Sequence, residues 1–92
     1  MKSIMQTEAE QDYCYICGNI ATDLHHCWHG YANRKLADRD GLTVMLCRKC
    51  HMYLHDKGKF DKELQKAAEE RWIEHNQKTE DDFRKRYGKS VL

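Results

Sequence analysis

Two Cys-x-x-Cys pairs, Cys14/Cys17 and Cys47/Cys50, constrain this chain more than any other feature. Each pair is a chelating knuckle, and Gly18 follows the first, where a turn aims backbone N–H groups at the sulfurs. Four thiolates in two pairs match the tetrahedral preference of a structural zinc. The interval between the pairs exceeds the about 15–20 residues of simple zinc ribbons. A strand–loop–strand unit inserted between the knuckles accounts for the excess. Zinc then clamps the base of the insert and replaces missing core. The fifth cysteine, Cys27, reads as a small buried hydrophobe.

The chain has 92 residues, which sets one domain as the expectation. A core of that size is modest and benefits from a metal staple. With 40% hydrophobic residues, 34% charged and no proline, the composition fits a compact, helix-rich chain rather than disorder. No apolar run is long enough to span a membrane, and residues 1–12 lack the pattern of a signal peptide. The expectation is a cytoplasmic protein with no membrane partner, where disulfides are rare and paired cysteines bind metal.

Residues 1–12 are polar and without period, and read as a flexible tail. Residues 13–92 read as one domain, with knuckles and strands over 13–58 and helices over 59–92. Residues 20–25 alternate with period 2, placing Asp23 and His25 on one face, and residues 42–46 form a second β-branched, apolar strand. Between them lies irregular chain with a helical turn over 32–37. A helix begins at His51 and Gly58 interrupts it. Asp61 reads as the N-cap of the next helix, whose stripe is Leu64, Ala67, Ala68, Trp72, Ile73 and His75. Thr79 caps a last helix with acids in its first turn, and Gly88 stops it.

The histidines carry the chemistry. His51 and His55 are four apart, so one helix face holds both and they can chelate one ion. His25 and Asp23 share a strand face directed at the same ion. His26 points elsewhere by strand alternation, which frees it to act as a base beside the metal. Phosphodiester hydrolysis needs those two parts: a cation to stabilise charge and a neutral imidazole to take a proton from water. His29 and His75 read as surface or capping residues. The rival arrangement is a second, closed structural zinc built from the histidines and Asp23.

The run Cys-x-x-Cys, Asp23-Leu24-His25-His26, Leu46-Cys47-Arg48-Lys49-Cys50-His51, His55 resembles the HNH, or ββα-metal, endonuclease family. Gly30 to Lys35, Gly41 to Val44 and Phe83 to Ser90 resemble its small phage and prophage branch. The resemblance covers residues 14–92. It implies an α+β fold: a ββα-metal core stapled by the four-cysteine zinc site, with added C-terminal helices. It also implies that His25 and His51 bind a catalytic divalent metal, with His26 as general base. His55 then completes the coordination or contacts the scissile phosphate, and Asp23 binds the metal or lies just behind it. The family's middle asparagine orients the base; here its place reads Gly41-Leu42. That leaves Asn33, or a backbone carbonyl, to orient His26.

The expected function is therefore metal-dependent DNA endonuclease activity, nicking with little sequence preference, by a monomer or homodimer in a phage or mobile-element setting. The expected cofactors are structural Zn2+ and one catalytic ion, Mn2+, Mg2+, Ni2+ or Zn2+. Net charge is only +1, but basic residues cluster near the motif. Arg34, Lys35, Arg48, Lys49 and Lys57 are the candidates for holding DNA phosphates. The alternative is a non-catalytic zinc module that contacts DNA or protein.

Overall fold

The computed structural model describes residues 2–58 and 60–92. The order is a 3₁₀ turn (Glu10–Asp12), β1 (Asp23–His26), α1 (Tyr31–Asp40), β2 (Thr43–Leu46), α2 (Arg48–Lys57), α3 (Asp61–Asn76) and α4 (Glu80–Tyr87). The α+β expectation holds, with one two-stranded antiparallel sheet and four α-helices among the described residues. Asp23 pairs with Leu46, Leu24 with Met45, His25 with Val44 and His26 with Thr43. This register buries His25 and leaves Leu24 43% exposed on the opposite face. The first strand is shorter than the sequence period suggested. Before it, a bridge between Tyr13 and Ile20 closes the first knuckle instead.

The chain between the strands is more ordered than expected. Residues 31–40 form a full helix, stopped at Gly41 in the left-handed region at φ 74°. A side chain at Gly41 would also meet Ile4 N at 3.0 Å and Lys2 O at 3.2 Å. Those contacts belong to the segment expected to be a tail, and they correct that expectation. Ile4 N donates to Gly41 O at 2.9 Å, the Ser3 hydroxyl donates to Thr43 O, and buried Gln6 accepts from Met45 N at 2.7 Å. The side-chain amide of Gln6 also donates to Glu10 O and Tyr13 O. Polar side chains hold this segment along β2, so no hydrophobic period announces it.

The core lies between the sheet and the C-terminal helices. Trp28, Phe83, Leu42, Leu46, Val44 and Cys27 are among its fully buried side chains. Phe83 stacks on Tyr87 at 4.4 Å between centroids and meets Trp28 and Trp72 at 5.0 and 5.4 Å. From α3, Leu64, Ala68 and Trp72 are buried, Ala67 and Ile73 are half-buried, and His75 is exposed. Asp40, at the end of α1, accepts from Trp72 Nε1, from Arg86 and from the Tyr87 hydroxyl, and so pins α3 and α4 to α1. Buried Glu69 accepts from Ser90 and from Val91 N and holds the C-terminus on α3.

Asp61 is the first residue of α3 rather than its N-cap. The N-cap is Phe60, in the left-handed region at φ 73°. Thr79 and Asp82 form a reciprocal capping box at the start of α4, and Gly88 ends it. Among the described residues, no helix is long and apolar enough to cross a membrane.

Candidate functional site

The knuckles bring Cys14, Cys17, Cys47 and Cys50 together, with their sulfurs within 4.8 Å of one another. Left-handed Gly18 (φ 81°) turns the first knuckle, where Gly18 N donates to Cys14 O. In the second, Cys47 is the N-cap of α2 and its sulfur accepts from Cys50 N at 3.4 Å. The Cys17 and Cys47 sulfurs are 3.6 Å apart. A tetrahedral ion with bonds of about 2.3 Å to sulfur sets neighbouring sulfurs about 3.8 Å apart. Among the described residues, none of the four is joined in a disulfide.

Their ionisation is divided. Burial raises the Cys14 thiol, but backbone hydrogen bonds from Cys17, Cys47 and Ile16 outweigh it and bring it down to about 6. Burial and the neighbouring sulfurs push Cys50 upward. One thiolate is accommodated and its neighbour is resisted, which is the balance that a bound dication reverses. The cluster is compatible with a structural zinc.

The histidines form a second cluster at the other end of the sheet. Asp23 does not point into it. Its Oδ2 accepts from His51 Nδ1 at 2.7 Å and from Arg48 Nε at 2.9 Å, and Thr22 donates to Oδ1. These donors hold its carboxyl below the usual range, with His51 contributing most. The carboxylate thus takes the Nδ1–H of His51 and leaves Nε2 facing His55, the arrangement seen behind many metal-bound imidazoles. His51 Nε2 is 3.1 Å from His55 Nε2. Two imidazole nitrogens on a tetrahedral ion are about 3.3 Å apart, so this pair has chelating geometry.

His25 stands edge-on to both halves of the cluster, 5.7 Å from the His51 ring and 5.4 Å from that of His29. It is 4% exposed, and its Nε2 has no hydrogen-bond partner among the described residues. Burial first, then the adjacent His29 and His51 rings, pushes its pKa down to about 4. The ring is neutral at pH 7 and retains a lone pair for a cation.

Sequence reasoning placed His25, His51 and His55 on one ion. Among the described residues, however, the groups of three or more ligating side chains within 4.8 Å are the cysteines and His25, His29 and Asp61. His29 Nε2 lies 2.5 Å from Asp61 Oδ1. His29 had been read as a surface residue and Asp61 as a helix cap. Neither has a local signal, because 32 positions separate them and only the docking of α3 brings them together.

His26 lies on the other side of β1, as the alternation required. Its Nε2 donates to Asp38 Oδ1 at 3.3 Å. Asp38, a residue of α1, thus meets His26 where Asn33 is the expected partner. An open cleft of about 430 Å³ is lined by His25, His26, His29, His55, Tyr31 and Arg34. Arg34 and Lys35 flank His26. Arg48 is 74% exposed, but its guanidinium is held by Asp23. Lys49 lies on the cysteine side of the molecule, beside Cys17 and Cys50. Lys57 is exposed at the end of α2. In comparisons with family models, curated proteins and solved structures, none matches this chain.

Proposed function

We propose that the protein is a metal-dependent DNA endonuclease of HNH type that nicks with little sequence preference. The observation that carries this reading is one cleft faced by both a metal-ready imidazole cluster and a separately hydrogen-bonded histidine. A divalent ion bound at His25 and the neighbouring imidazoles supplies charge stabilisation to the scissile phosphate and the leaving oxygen. Among the described residues, His25 offers that ion an orphaned, neutral nitrogen. His51 offers one whose tautomer Asp23 fixes.

His26 is the base in this reading. With Nε2–H bound to Asp38, Nδ1 carries the lone pair that takes a proton from the attacking water. The Asp38 carboxylate steadies the imidazolium that results. Arg34 and Lys35, beside His26, hold flanking phosphates. Because such contacts reach the backbone and not the base edges, they give little sequence discrimination.

The test is conversion of supercoiled plasmid to open circles by zinc-loaded protein, with Mn2+, Mg2+, Ni2+ or Zn2+ added in turn and His26→Ala alongside. Metal-dependent nicking that is lost in the variant supports the reading. Absence of nicking with every metal overturns it. The second reading would then stand: a zinc module whose His25–His29–Asp61 group closes a structural site.

A further inference from the structure

We infer that His29 and Asp61 are direct ligands, with His25, of a divalent cation, so that α3 supplies a carboxylate to the metal centre. This deepens the metal assignment of the proposed nuclease and does not depend on cleavage. Three observations converge. The ligating atoms of His25, His29 and Asp61 lie within 4.8 Å of one another. His25 is 96% buried and its Nε2 has no partner among the described residues. His29 and Asp61 face each other at 2.5 Å while remaining 44% and 32% exposed, so an ion can reach them from solvent, and His25 and His29 also line the cleft.

The chemistry of the set is coherent. Two neutral imidazoles and one carboxylate form a mixed N/O site for Mn2+, Co2+, Ni2+ or Zn2+, with room for water or a phosphate oxygen. His29 Nε2 and Asp61 Oδ1 already face each other at 2.5 Å. An ion enters between them once the two atoms separate to the about 3.3 Å spacing of adjacent ligands. That movement asks only for rotation of two partly exposed side chains. The left-handed turn at Phe60 makes it available, because it places Asp61 in the first turn of α3 rather than in the capping position. His55, which lines the same cleft, and His51, whose ring stands 5.7 Å from that of His25, complete the surroundings of the ion from α2.

The assignment predicts that the ion ties three parts of the chain together: the end of β1, the loop after it, and the start of α3. The experiment is isothermal calorimetry of Co2+ with zinc-loaded, full-length protein, with released zinc measured in the same samples. Wild type, Asp61→Asn, His29→Gln and His55→Ala are compared, and circular dichroism verifies the fold of each. The expected result is one saturable Co2+ site in the wild type with no zinc released. Asp61→Asn and His29→Gln should each weaken it about 10-fold or more, the scale reached even by groups that only support a ligand. His55→Ala should weaken it less. If Asp61→Asn fails to fold, His29→Gln and Asp61→Glu decide, the latter retaining binding. Wild-type affinity in both His29→Gln and Asp61→Asn overturns the assignment, as does the absence of a saturable site. Weakened Co2+ binding in a protein that nicks no plasmid upholds the ligands and removes the nuclease.

Discussion

Asp40 is the point at which the C-terminal helices are joined to the rest of the fold, and Asp40→Ala tests that role. Its carboxylate accepts from Trp72 Nε1 at 3.0 Å, from the Tyr87 hydroxyl at 2.7 Å, and from Arg86 Nε and Nη2 at 2.7 and 2.8 Å. Trp72 and Tyr87 are only 6% and 3% exposed. Truncation leaves an indole N–H and a phenol O–H without an acceptor, at about 1–3 kcal/mol each. Arg86, 37% exposed, can turn to water, so its contribution is discounted to about 1 kcal/mol or less. The expected loss is about 2–7 kcal/mol, a large part of the about 5–15 kcal/mol typical of a domain. At about 4 °C or more per kcal/mol, the melting temperature of zinc-loaded protein should fall by at least about 8 °C. Asp40→Asn retains an acceptor oxygen and should lose about half as much. Tyr87→Phe combined with Asp40→Ala should be markedly less than additive, because both remove the same hydrogen bond. A melt of Asp40→Ala within about 3 °C of wild type, followed by circular dichroism at pH 7, would refute the reasoning.

Three further outcomes are expected. Chelation of the cysteine-bound zinc should abolish the cooperative melt, since structural zinc contributes about 10–16 kcal/mol in small domains and the whole stability is no greater; an unchanged melt after verified zinc removal would count against a structural role. Asp38→Asn should retain the fold while lowering nicking, because it removes the carboxylate that steadies the His26 imidazolium; nicking at the wild-type rate would mean that Asp38 does not act through His26. At α4, hydrogen bonds from Thr79 N and from its hydroxyl hold the Asp82 carboxyl below its ordinary 3.8. A carboxyl depressed in the folded state stabilises it fully above the ordinary value and loses that effect as pH falls through the lowered one. The protection of the Phe83 amide, relative to its intrinsic exchange rate, should therefore fall below about pH 4, and Thr79→Ala should remove the acid-dependent change.

Much of the framework was legible because it follows short periods or short spacings. The knuckles are set by cysteines two residues apart, the sheet by alternation around Leu24 and Val44, and α4 by Thr79 and Gly88, each a local rule. The face shared by Asp23 and His25 followed from the same alternation, although not that Asp23 would turn to His51 and Arg48. What escaped was contact between distant segments. Gln6 is buried by hydrogen bonds rather than by apolar surface, so residues 2–12 resembled a tail. Asp61 and His29 meet only through the packing of α3, and their letters taken singly say cap and surface. The choice of Asp38 over Asn33 depends on which α1 side chain faces His26, and that required the helix to run through residues 31–40.

Helix α2 works as an axle between two chemistries. Cys47 and Cys50 hold its first turn in the sulfur cluster, and His51, the next residue, projects into the imidazole cluster about 100° further around. A ring nitrogen of His51 lies about 6 Å from the helix axis, so each degree of rotation carries it about 0.1 Å. The about 0.5 Å tolerance of a working site is used up in about 5°. Asp23 brakes that rotation by gripping His51 and Arg48 from the strand. The angular setting of α2 thus depends on the sulfur cluster at one end and a carboxylate at the other. Any change that slackens the sulfur end, such as oxidation of the exposed Cys17, detunes the histidines without touching them.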